Sequence, residues 1–142
     1  MNRILAAALL IALVPLNVHA AQSPDDKMLA LVNKARAEAG LSALVRNPLL
    51  DAAASAKAAD MVKRDYFSHD TPDGQSPWVW FTSYAFAHAG ENLARGFRSP
   101  YAAHDALMAS PTHRANLLSQ LYTEVGISFE GRTVVQHFGR PL

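Results

Sequence analysis

Three residues stand where a side chain could do chemistry: His69 in "YFSHD", Glu91 in "AGENLARG" and His113 in "SPTHRANLL". Two imidazoles and a carboxylate form a donor set that suits zinc or another divalent cation and leaves coordination positions open. The same groups could serve a hydrolase, with Glu91 as candidate general base toward a water that the metal polarises; no other catalytic residue is marked. Each residue also has a structural alternative. His69 could rest on a backbone carbonyl of its loop, Glu91 could accept N–H bonds in a tight turn, and His113 could be satisfied at a helix start. Familiar catalytic signatures are missing from the chain. It has no His-Glu-x-x-His, no Gly-x-Ser-x-Gly, no phosphate-cradling glycine loop and no cysteine.

These residues need elements to hold them. Ser110 and Pro111 read as the cap and first turn of a helix, with Ala115, Leu117 and Leu118 as its buried anchors. The positive end of that helix opposes protonation of His113 and keeps its ring neutral, ready to ligate or to accept a proton. "SPDDKMLALVNKARAEAG" predicts an earlier helix, capped by Ser23, stopped by Gly40, with Met28, Leu31, Val32 and Ala35 as its apolar stripe. Asn47-Pro48 opens a second helix running to about Asp65, with Leu50, Ala54, Ala58, Met61 and Val62 on one face. Ser99-Pro100 opens a third, ending near Ala109.

Between them, "SALVR" reads as a short extended segment, and the stretch around Pro72-Asp73-Gly74 as a loop. Ser76-Pro77 marks a short aromatic helix, and "AGENLARG" a short strand or tight loop. Trp78, Trp80, Phe81, Tyr84 and Phe86 could line an apolar groove or form a core segment under the site. Tyr66 and Phe67 are expected to pack beneath His69, while Asn92, Arg114 and Asn116 brace loops and helix ends. His88, His104 and His137 lack motif support and read as surface residues. After Gln120 the apolar period changes to two, so "YTEVGISF" and "RTVVQHFG", joined at Glu130-Gly131, predict a β-hairpin. Helices first and a hairpin last make an α+β layer fold.

Residues 1–20 read as a secretory signal: Arg3, an apolar run from Ile4 to Val14, Pro15, and Val18-His19-Ala20 before an expected cut. The run is too short to span a bilayer, and no later segment approaches one. The 13 basic residues include Arg3, so export leaves 12 against 12 acidic. That balance gives no field for nucleic acid and no polybasic membrane patch. The expected product is one soluble domain over residues 21–142, monomeric, periplasmic or extracellular, held by packing or a metal rather than by disulfides.

Four motifs in order, "YFSHDTPDG", "AGENLARG", "SPTHRANLL" and "YTEVGI", together with "LVNKARAEAGLSAL" and "VVQHFG", resemble the bacterial branch of the CAP superfamily. These are the cysteine-rich secretory, antigen 5 and pathogenesis-related type proteins, whose shared unit is the SCP domain. The resemblance covers nearly all of residues 26–139. It implies a three-layer α-β-α sandwich with a small antiparallel sheet between helices. It also implies a cleft with His69 and His113 as metal ligands, Glu91 as the matching acid and Glu124 as a second candidate. Arg46 stands where many members carry a Trp, and Leu107 and Ser110 stand where many eukaryotic members carry a Trp and a second Glu. Two function classes follow. One is an exported binding module for a lipid, glycan, peptide or protein, with a cleft able to hold zinc. The other is a zinc-dependent hydrolase acting on a peptide, ester or cell-wall substrate.

Overall fold

The computed structural model describes residues 21–142, so the expected signal at 1–20 lies outside the described residues. Among the described residues no helix is long and apolar enough to cross a membrane. Helix α1 spans Pro24–Glu38; Ser23 Oγ accepts the Asp26 N–H, Pro24 takes the first turn, and Asp25 and Asp26 sit at the positive end. Strand β1, Val45–Arg46, leads into α2, Pro48–Lys63, where Asn47 Oδ1 accepts the Leu49 N–H. After the loop carrying His69, the expected aromatic helix is only a 3₁₀ turn, Pro77–Trp80. Left-handed Ser83 (φ 65°) then reverses the chain, letting Phe81, Tyr84 and Phe86 fold onto one another edge to face and in a stack.

"AGENLARG" lies within a full strand, β2, Phe86–Arg95. Helix α3, Pro100–Ala109, meets α4, Pro111–Leu117, at Ser110, which ends one and takes the N-cap position of the other without the expected side-chain cap bond. Strands β3, Glu124–Glu130, and β4, Thr133–Pro141, close the expected hairpin across Gly131-Arg132. The sheet order is β1-β3-β4-β2, antiparallel except for the short edge pair of β1 with β3.

Helix α2 and the 3₁₀ turn cover one face of the sheet, with Ala54, Ala58 and Met61 packing on Leu93 and Val135. Helices α1, α3 and α4 cover the other, where Met28, Val32, Leu107 and Leu117 meet Val125, Ile127, Val134 and Phe138. This is the α-β-α sandwich that the family resemblance implied. Strand β4 is buried on both faces from Thr133 to Gly139. The rim of the stripes differs from expectation: Val62 and Ala115 are exposed, whereas Lys57 and Arg36 are buried. Long side chains with a polar head can fill such positions when backbone carbonyls receive the head, and both do this.

Beyond β1, the outer edge of β3 would leave N–H groups bare. Asp51 Oδ1 accepts the Ile127 N–H at 3.0 Å and Asp25 Oδ1 accepts that of Phe129 at 2.7 Å. Arg46 pairs with Asp25, Asp26 and Asp51 and holds these carboxylates in place.

Candidate functional site

Period two on β2 sends Glu91 and Leu93 to the α2 face and Asn92 and Ala94 to the other. Glu91 lies opposite His137 of β4 in the register and is buried. Both its oxygens are engaged. His69 Nδ1–H donates to Oε1 at 2.6 Å, and His137 Nε2–H donates to Oε2 at 2.8 Å. The two rings differ sharply in setting: the side chain of His69 is 57% exposed and that of His137 is 0% exposed.

His69 is held by the loop that follows α2. Lys57, fully buried in the α2 stripe, donates from Nζ to the His69 carbonyl at 2.7 Å and lies 3.3 Å from the Tyr66 hydroxyl. Tyr66 in turn donates to Asp60. Burial pushes the Lys57 ammonium below the usual lysine range, and the negative field of Glu91, Asp60 and Asp70 opposes that shift. Farther along, Gln75 N–H donates to Thr71 Oγ1 and Arg64 pairs with Asp73, closing the turn. Tyr66 packs beneath the loop as expected. Phe67 does not: it is 46% exposed, with the Arg95 guanidinium 4.9 Å above its ring.

His113 arrives from the other side of the sheet on α4. Asn92 and Asn116 tie that helix to β2: Asn92 Nδ2 donates to the His113 carbonyl, and Asn116 Nδ2 donates to the Glu91 carbonyl and to Asn92 Oδ1. Asn92 also reaches Gln136 Oε1 in β4. His113 Nδ1 and Ser110 Oγ share a hydrogen bond at 2.8 Å, so a hydroxyl faces the ring. Burial, and then the charge of His69, hold His113 below the ordinary histidine value. A downward shift was expected, but from the helix dipole rather than from burial. The ring borders a mainly apolar concavity of about 190 Å³ lined by Phe67, Leu93, Phe97 and Leu107.

Among the four residues singled out, His69 and Glu91 touch, and His113 lies within electrostatic reach of His69. Glu124 joins a different cluster. It lies opposite Gly139, accepts the Tyr84 hydroxyl at 2.6 Å and accepts Asn47 Nδ2 at 3.0 Å. Tyr84 reaches it by lying flat over Gly139, where a side chain would collide with the ring. The aromatic segment is thus mainly packing: Phe81 and Tyr84 are buried, and Phe81 closes over His137 at 4.8 Å between ring centroids. Among the described residues, no three His, Cys, Asp or Glu side chains are grouped as a ready metal cage.

Two residues of the cluster were not anticipated. His137 was expected at the surface and is wholly buried, and His104 is buried at 7% exposure; of the three expected there, His88 alone is exposed. The signal for His137 was the unbroken run "TVVQHFG", since a strand buried on both faces must find partners for its polar residues. Lys57 fell at a helical spacing from Ala54 and Met61 and could have been read into the stripe for the same reason.

The family model described as the cysteine-rich secretory protein family matches residues 29–138. The uncharacterized protein YkwD of Bacillus subtilis (strain 168) is 34% identical over 107 residues, which is 74% of this chain and 42% of that protein. An extracellular protein containing a SCP domain from Bacillus anthracis str. Ames superposes with a TM-score of 0.77 at 28% identity, over 82% of this chain and 40% of the other. An outer surface protein from Borrelia burgdorferi has the same fold, with a TM-score of 0.78 at 19% identity over 84% and 93% of the two chains. The chain thus spans less than half the length of the two Bacillus relatives.

Proposed function

The chain belongs to the cysteine-rich secretory protein family, and from its site we propose an exported binding module whose cleft takes a divalent cation between His69 and His113. Donor chemistry favours zinc, because neutral imidazoles are its common ligands. The observation that carries this reading is the Glu91 carboxylate on His69 Nδ1. With that nitrogen donating, the solvent-facing Nε2 keeps its lone pair, and the ring is fixed in orientation. In the tautomer in which His113 Nδ1–H donates to Ser110, its Nε2 is free in the same way. Bound zinc would supply open coordination positions for a polar group of a lipid, glycan, peptide or protein ligand. Export is supported by the residue 1–20 pattern and by relatives described as extracellular or outer-surface proteins.

Calorimetry and metal analysis of the purified protein test this. His69→Ala and His113→Ala should each abolish stoichiometric zinc binding and leave the domain folded; unchanged affinity in both sinks the reading. Affinity should also fall in acid, because the ligating imidazoles must be neutral, with His113 giving way only below the ordinary histidine value.

A second reading, hydrolysis, is favoured by one observation: a solvent-facing imidazole backed by a buried carboxylate is a general-base arrangement. Because both Glu91 oxygens already accept imidazole N–H bonds, the base in this reading is His69, with Glu91 orienting it. Turnover of peptide, ester or cell-wall substrates that is lost in His69→Ala would support it; no turnover on any leaves the module.

A further inference from the structure

A second concavity, of about 290 Å³, lies where the end of α1, the turn after it, the segment before β3 and the end of β4 meet. Its lining includes Arg36, Ser42, Gln120, Tyr122, Thr123 and Arg140, and no acidic residue. Arg36 is 2% exposed. It donates from Nε to the Ser42 carbonyl at 2.8 Å, and from Nη1 to the carbonyls of Leu117 at 2.9 Å and Ser119 at 2.8 Å. These bonds bind the end of α4 to α1, but they bring only partial charges to a full positive charge. Among the described residues, neither Arg36 nor Arg140 has a carboxylate within 4.0 Å, whereas Arg46 has three and Arg64 has two. A buried guanidinium with no counter-charge is costly. Burial also draws the Arg36 guanidinium below the usual arginine range, with no acid to oppose it.

Arg140 faces the same space from β4 and is held there by a 3.3 Å bond from Nη2 to the Gln120 carbonyl. The concavity is therefore lined by two arginines, three hydroxyl side chains and an amide. Forked N–H donors of this kind match the oxygens of a carboxylate or phosphate. We propose that the Arg36–Arg140 pocket is an anion site that takes the carboxylate or phosphate group of a small ligand. It shares no residue with the His69–His113 cleft and stands or falls without it. Tyr122 forms the wall between the pocket and β2, its hydroxyl donating to the Ala89 carbonyl at 3.3 Å.

The test is an amide-resolved NMR titration of the purified protein with inorganic phosphate and, separately, with acetate. Metal is removed beforehand with a chelator that is then dialysed away, and sodium chloride at matched ionic strength is the control. Saturable shifts at the amides of Ser42, Gln120, Thr123 and Arg140 are expected with at least one anion, and the preferred anion identifies the ligand's charged group. Because Arg36 also secures α4, its removal endangers the fold, so the variant is Arg140→Glu at an exposed position. Loss of a charge-assisted bond should weaken binding about tenfold or more, while the melting curve stays that of the parent. The same titration on His69→Ala should be unchanged. Shifts that never saturate, that chloride reproduces, or that keep their affinity in Arg140→Glu overturn the proposal.

Discussion

Glu91 joins two imidazoles whose surroundings could hardly differ more, one in solvent and one enclosed by β4 and Phe81. The enclosed ring occupies one oxygen, so the other is left to aim His69. Lys57 supplies the nearby positive charge and, through the His69 carbonyl, fixes the loop from below. Replacing Glu91 with Gln keeps the shape but removes the charge that accepts both N–H bonds. We expect zinc affinity to fall by about 10- to 100-fold, the usual cost of losing such an orienting partner, with His69 and His113 still in place. Calorimetry on Glu91→Gln beside the parent would show it, and an unchanged constant would mean that Glu91 only packs.

The elements meet most closely where α2 crosses β3. A Cβ at Gly126 would fall inside the backbone of Leu50 and Asp51, so only glycine allows this approach. Since backbone rather than a flexible side chain stands in the way, Gly126→Ala should destabilise by about 3 kcal/mol, the upper part of the overpacking range, or more. Urea unfolding measures this, and a loss under about 1 kcal/mol would mean that the helix can lift away.

The helices were legible because their signals are local: Ser23, Asn47 and Ser99 each precede a proline and each accept an N–H of the turn they begin. The hairpin was expected from a period of two and is present, yet neither strand alternates in burial because both faces of the sheet are covered. What the sequence hid depends on partners far along the chain. His137 resembled a surface residue until Glu91, 46 positions away, was set beside it. Arg36 carries no local sign of its burial, because the carbonyls of Leu117 and Ser119 that receive it lie 81 and 83 positions away. The motifs located His69, Glu91 and His113, yet the division of labour among them came from the register of β2 on β4.

Taken as a whole, the domain shelters histidines, and this sets its response to acid. Burial holds His104, His113 and His137 below the ordinary histidine value, although the Glu91 contact works against the shift at His137. The unfolded chain therefore takes up these protons first. Stability is full above about pH 6.5 and falls as pH drops toward the folded-state values. Urea midpoints should decline from neutral pH into the mildly acid range, and a flat profile would contradict this. His104 offers the cleaner variant, because its Nδ1 is buried without a partner. His104→Leu should flatten the acid slope while holding or raising stability at neutral pH.

The carboxylates on the β3 edge bear on when the molecule can form at all. Asp25 at the start of α1 accepts the Phe129 N–H across 104 positions, and Asp51 accepts that of Ile127 across 76. Neither bond exists until the last strands have emerged, so early helices have no sheet to settle on during synthesis. Such late, non-local closure makes folding slow to begin. The domain therefore closes only when its last hairpin arrives, and the two aspartates then act as the latch.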